Sequence, residues 1–163
     1  MSQRRRCSVE RKIFKIRDGQ TLSQNSFEAF PVSNGMKKDF WKWHEKKEKL
    51  HDAASAPFYH EREIWWCALG MNIGSEQDGS GDEYRRPVLI LKGLSVKTCL
   101  VVPLTTSSKK HLLRPRVGVV EEKEAYALLS QLRVIDTKRL IRKVGYLEKG
   151  AFEIIRKAVK DML

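Results

Sequence analysis

The stretch Arg86 to Thr106, "RPVLILKGLSVKTCLVVPLTT", decides the fold. Val88 to Leu91 and Leu100 to Leu104 are two nearly continuous apolar runs. Strands covered on both faces read this way, without the alternation of a half-exposed strand. We read residues 86–93 and 97–104 as strands joined by a short connection, an antiparallel hairpin. That pairing sets residue 86 against residue 104 or 105. Pro87 biases the Arg86 backbone to extended geometry, so the first residues of a rigid strand place its side chain. Thr105 to Ser108 then put four hydroxyls just beyond the buried end of the second strand. An arginine offers a planar fork that matches two phosphate oxygens and stays charged at any relevant pH. A guanidinium beside a hydroxyl at the mouth of a sheet suits a phosphodiester. An Arg and a Thr also stand at many ordinary strand ends, and spacing alone does not separate the two readings.

Outward from the hairpin the chain reads as short strands. "EREIWWCAL" (61–69) is rich in aromatic and branched residues, and "RVGVV" (116–120) and "IRKVGYL" (141–147) are further strands. "EAYALLSQLRVID" (124–136) is ambiguous between helix and strand, and we take it as strand over most of its length. Asp136 can cap the turn that follows. "EKGAFEIIRKAVKDML" (148–163) is a helix with Ile155, Ala158, Val159 and Met162 on one side and Arg156, Lys157 and Lys160 opposite. Many short strands with few helices predict a mainly β, α+β domain, a small barrel or curved antiparallel sheet with helices packed outside.

Residues 36–60 form a separate unit in this reading. Asp39 caps an amphipathic helix, Phe40, Trp43 and Leu50 recur at helical spacing, and Pro57 closes the linker. Residues 1–35 mix Arg runs with Gln, Ser, Asn and Gly without a sustained period. They are expected to be disordered or a mis-assigned extension, with translation starting at Met36. The domain proper is expected over 61–163.

The chain has 163 residues, 41% hydrophobic and 32% charged, enough for one domain with a real core and no staples. No apolar run approaches the roughly 18 residues of a membrane helix, and no secretory signal is evident, so no membrane and a cytoplasmic location are expected. The net charge of +12 favours nucleic acid or an anionic surface as partner. The excess is not a tail: residues 1–60 carry 13 Lys+Arg against 7 Asp+Glu, and the remainder 19 against 13.

Metal and thiol chemistry find no support. Cys7, Cys67 and Cys99 form no paired spacing, and Cys67 and Cys99 lie inside apolar strands. His44, His51, His60 and His111 lack ligand spacing, and "HEKKE" (44–48) ends in Glu where a zinc helix needs a second His. The loop "GSEQDGSGDE" is neither a phosphate loop nor a calcium loop, lacking the Lys-Ser/Thr ending and the twelfth-position Glu.

Five elements occur in one order: Ile64-Trp65, Gly74 to Gln77, Arg86 to Val88, Pro103 to Thr105, and Gln131, Arg133 and Asp136 before Lys138-Arg139-Leu140. Together they resemble the MazF/PemK family of toxin endoribonucleases, from about Glu61 through the C-terminal helix. The resemblance implies an SH3-like barrel with flanking helices, acting as a homodimer. It implies cleavage of single-stranded RNA (mRNA) at short sequences, with no cofactor or metal. It also implies a cognate antitoxin whose extended C-terminal segment blocks the RNA groove. By position, Arg86 and Thr105 match the catalytic pair. Glu76 and Gln77 match residues of the RNA site, Gln131 and Arg133 lie on a strand near the RNA and dimer surfaces, and Arg85 and Ser107 add RNA contacts. A non-catalytic nucleic-acid-binding module, or a topoisomerase-inhibiting toxin on the same barrel, is the alternative.

The chain departs from the family pattern in four places. Ser75 stands where some members have His, and Ser130 where some have an acidic residue. A mechanism built on either group cannot operate here, and the Arg–Thr version remains. The loop from Asp78 to Arg85 is longer than the family's and carries Asp78, Asp82 and Glu83, which repel phosphate. The helix after Met36 is an addition that either packs on the barrel or occupies part of the antitoxin surface. Glu76 is the nearest ionisable group for a general base, and equally a residue that shapes its loop.

Overall fold

The structure is a computed structural model that describes residues 38–163. The expectations for 1–35 and for a start at Met36 lie outside the described residues. The elements follow the chain as α1 (Phe40–Asp52), β1 (Glu63–Ala68), β2 (Arg85–Gly93), β3 (Thr98–Thr105), β4 (Arg116–Val120), β5 (Lys123–Ala127), β6 (Arg133–Asp136), β7 (Leu140–Tyr146) and α2 (Lys149–Met162). The strands form one curled antiparallel sheet, a half-barrel, in the order β4-β5-β3-β2-β1-β7, with β6 pairing β3 beside β5.

The central hairpin forms as its sequence predicts. Val88 to Leu91 are all buried, because both faces of β2 are covered. Alternation then divides the core in two. Leu89, Leu91, Val102 and Leu104 point to one face, where Phe152, Ile155 and Val159 of α2 cover them. Val88, Ile90, Cys99 and Val101 point to the other, with Trp65, Cys67, Ile135 and Leu140. Both cysteines are fully buried free thiols in this second layer, as expected of small apolar residues. Burial pushes the Cys67 thiol up to about 12, so it is no nucleophile at neutral pH.

The segment 124–136 is not one strand. β5 ends at Ala127, a 3-10 turn spans Leu129–Gln131, and β6 starts only at Arg133. Gln131 therefore stands on a turn, not on a strand as its motif suggested. The turn lets one chain segment serve both halves of β3: β5 pairs with Leu104 and Thr105, and β6 with Thr98 to Val101. No local pattern encodes such a switch of register. Asp136 caps the next turn as expected, its carboxylate accepting from Lys138 N at 2.8 Å.

Helix α1 begins where Asp39 predicts, with the carboxylate accepting from Lys42 N at 3.0 Å. Only Trp43 is buried; Leu50 is partly covered, and Phe40 is 49% exposed, so the aromatic stripe is narrower than its spacing suggested.

The buried acid Glu63 is held by three donors. Its carboxylate accepts from Lys143 Nζ at 2.8 Å, Trp65 Nε1 at 2.7 Å and His60 N at 3.0 Å. Burial alone raises a carboxyl pKa, but these hydrogen bonds outweigh it and hold Glu63 at about 2. Its contribution to stability is therefore full above the ordinary carboxylate range and is lost as pH falls toward 2. We expect the unfolding free energy to drop by on the order of 2–3 kcal/mol across that window from this residue alone. Denaturant titrations at pH 5 and pH 2 should show a clearly smaller drop for Glu63→Gln; an equal drop in both proteins contradicts the assignment.

Candidate functional site

Continuing the β2–β3 register from Val88 opposite Pro103 sets Arg86 opposite Thr105. The two residues share the sheet face of Cys67, which pairs with Arg86 from β1. The mouth of the sheet thus carries the cation–hydroxyl pair that the hairpin predicted.

Arg86 is half-buried and held by main-chain carbonyls. Nε donates to Asp78 O at 2.7 Å and Nη1 to Leu104 O at 3.2 Å. A guanidinium has five N–H groups; among the described residues the other three have no partner, and no carboxylate forms an ion pair with it. Burial pulls its pKa down, and the charge of nearby Asp78 pushes it back up. It remains a cation, positioned in advance with donors to spare. Thr105 Oγ1 accepts from Ser107 N at 3.2 Å, which leaves its hydroxyl proton free to donate elsewhere. Ser107 therefore braces Thr105 through its main chain.

The loop between β1 and β2 forms one wall. Gln77 N donates to Gln131 Oε1 at 2.9 Å, tying the wall to the 3-10 turn before β6. Gln77 Nε2 donates to Asp78 O at 3.2 Å, the carbonyl that also receives Arg86. Glu76 is exposed, and its carboxylate accepts from Ile73 N at 3.2 Å, closing its own turn. The loop-shaping reading of Glu76 matches this geometry.

Arg85 and Arg133 are not drawn into this cluster. Arg85 is the first residue of β2, and its side chain projects to the sheet face opposite Arg86. It lies over the Trp66 ring, 5.3 Å from the centroid. Glu121 accepts from Trp66 Nε1 at 3.2 Å and from Arg142 at 2.6 Å, completing a surface network. Arg133 opens β6 opposite Val101, on the Arg86 face. Along β3 that is roughly 13 Å from Thr105 at the strand rise per residue. A groove of about 1390 Å³ lies at the other end of β2 and β3, lined by His51, Phe58, Val96 and Lys138, and contains neither Arg86 and Thr105 nor any of the expected RNA-contacting residues.

Sequence reasoning missed what the acidic loop residues do. Asp78 does not face the Arg86–Thr105 mouth with a free charge: its carboxylate accepts from Asn72 N at 2.6 Å and pairs with Lys38 Nζ at 2.7 Å. Glu83 pairs with Lys46. The signal was legible as charge complementarity between a lysine-rich helix and an acidic loop. Residue patterns do not say that the two meet.

The curled half-barrel with its C-terminal helix is the fold of solved MazF proteins. MazF from Deinococcus radiodurans is 17% identical, with a TM-score of 0.52 over 66% of this chain and 96% of that one. The Mycobacterium tuberculosis toxin MazF-mt6 is 20% identical, with a TM-score of 0.49 over 61% of this chain and 94% of that one. Among curated proteins, none matches the chain. Residues 60–163 match the family model described as the PemK-like, MazF-like toxin of type II toxin–antitoxin systems. The chain belongs to that family. No helix among the described residues is long and apolar enough to cross a membrane.

Proposed function

We propose that this toxin is a metal-independent endoribonuclease that cleaves single-stranded mRNA at a short sequence, independently of the ribosome. The observation that carries the reading is Arg86 opposite Thr105, with three guanidinium N–H groups unclaimed. The ribose 2′-oxygen attacks the adjacent phosphorus and loses its proton, while the bond from phosphorus to the 5′-oxygen breaks and that oxygen takes up a proton. The products are a 2′,3′-cyclic phosphate and a 5′-OH. Negative charge grows on the non-bridging oxygens as the new bond forms. A fixed guanidinium and a hydroxyl donor stabilise that charge more in the transition state than in the ground state, which is what accelerates the step.

Glu76, Gln77 and Gln131 form the wall against which the nucleotides lie, with Ser107 and Arg133 as outer contacts, while Arg85, on the opposite face, attracts RNA only at a distance. Unpaired bases in single-stranded RNA expose edges that such polar walls can read. The active form is a homodimer acting in the cytoplasm, silenced by an antitoxin whose extended C-terminal segment lies in the RNA groove. A solved mycobacterial endoribonuclease in complex with its cognate antitoxin, 14% identical to this chain, is a precedent for such pairing within that protein.

The test is purified protein with a long single-stranded RNA in EDTA. Discrete fragments with 5′-OH ends are the expected result. Intact RNA that stays bound to the protein points instead to the non-catalytic module.

A further inference from the structure

We infer that helix α1 and the residue just ahead of its cap are a positioning element for Arg86, acting through Asp78, with Lys38 and Trp43 as the working residues. The inference rests on the proposed role of Arg86 and adds residues that lie outside the barrel itself.

Asp78 is bonded on two sides. Its main-chain carbonyl receives Arg86 Nε at 2.7 Å, while its carboxylate receives Lys38 Nζ and Asn72 N. Lys38 Nζ also donates to Asn72 O at 2.7 Å, so one ammonium just ahead of α1 gathers both sides of the loop. A carbonyl in a glycine-studded loop fixes a guanidinium only if the loop itself is fixed. Lys38 supplies that fixing from outside, with both side chains of the ion pair largely covered.

Trp43 anchors the helix that follows directly on Lys38. It is 5% exposed and packs on Ala68 and edge-on against Tyr84, with ring centroids 5.5 Å apart. Gly70 admits it: a Cβ there would sit 2.2 Å from Trp43 Cζ2, and the backbone φ is +92°. The loop is cross-tied at the same level. Gly70 N donates to Tyr84 O at 3.0 Å, and Gly79 N to Gly70 O at 2.8 Å. At the far shoulder Lys46 pairs with Glu83. Lys38 and helix α1 therefore grip the loop at its entry, at Asp78 and before β2. The enlarged acidic loop and the added lysine-rich segment form one device, which pairs Asp78 and Glu83.

Displacing a catalytic group by about an ångström costs roughly a hundredfold in rate. We expect Lys38→Ala and Trp43→Ala each to lower kcat by about ten- to a hundredfold on that scale, with KM changed far less. Lys38→Arg, which keeps a cation in reach of Asp78, should restore most of the rate. Exchanging the far pair, as Lys46→Glu with Glu83→Lys, should cut faster than either single change. A readout independent of cleavage is the Arg86 Nε–H resonance in NMR. It should be protected from exchange in the intact chain and exchange fast in Lys38→Ala, with the folded spectrum of the sheet otherwise retained.

If the unaltered chain cuts no RNA, the nuclease reading fails and the Nε–H resonance still decides the positioning. A resonance equally protected in both proteins overturns the inference, as does a Lys38→Ala protein that cuts at the unaltered rate. A Trp43→Ala protein that no longer folds leaves Lys38→Ala and Lys38→Arg as the deciding pair.

Discussion

Arg86→Ala is expected to lose RNA cleavage by about 10²–10³-fold in kcat, the cost of removing a donor aimed at developing charge. The loss should fall mainly on kcat, because the guanidinium is held for the transition state rather than for general attraction. The chain carries +12 with Arg86 and still +11 without it to draw RNA in, so binding of intact RNA should persist. Arg86→Lys sharpens the test. Lysine keeps a positive charge but lacks the planar fork, and its three donors leave one beyond two carbonyls where the guanidinium leaves three. It should recover little of the rate. Single-turnover cleavage of a defined RNA, with binding measured in parallel, separates the two effects. An Arg86→Ala protein cutting within threefold of the unaltered rate removes Arg86 from the mechanism.

Phe152→Ala should be the most damaging single truncation of the core, costing about 3–5 kcal/mol of stability. Phe152 is 2% exposed at the start of α2 and packs into the layer with Leu89, Val102 and Leu104. Its removal opens a cavity under the only helix that covers that face of β2 and β3 among the described residues. The surrounding strands are hydrogen-bonded on both sides and cannot collapse into it. Natural domains of this size have only about 5–15 kcal/mol in hand, so the variant should unfold at much lower denaturant. Ile154→Ala, two residues along on the opposite side of α2 and 63% exposed, is the matched control and should change little. Equal midpoints for Phe152→Ala and Ile154→Ala contradict the packing described here.

These effects also show how far the fold and the site were readable from residues alone. The β2–β3 hairpin was legible because four consecutive apolar residues, Val88 to Leu91, read as a strand covered on both faces, and they are buried. Its register followed, and with it the pairing of Arg86 with Thr105. The caps at Asp39 and Asp136 were legible because a short carboxylate beside a free N–H is a local event. The apolar side of α2 was legible from periodicity alone.

The segment 124–136 was not, because its break into β5, a turn and β6 depends on which half of β3 each piece meets. The divergence of Arg85 and Arg86 to opposite faces followed from strand alternation, but only once β2 was known to begin at Arg85. The partners of Asp78 and Glu83 lie 40 and 37 positions away along the chain, at Lys38 and Lys46. The sequence by itself determined most of the strands, the main hairpin and the placing of a cation opposite a hydroxyl, since local sterics, burial patterns and residue chemistry act within a few residues. Tertiary structure alone decided that Asp78 and Glu83 pair with distant lysines and that Arg86 hangs from that loop, because electrostatic and packing partners are chosen by proximity in space.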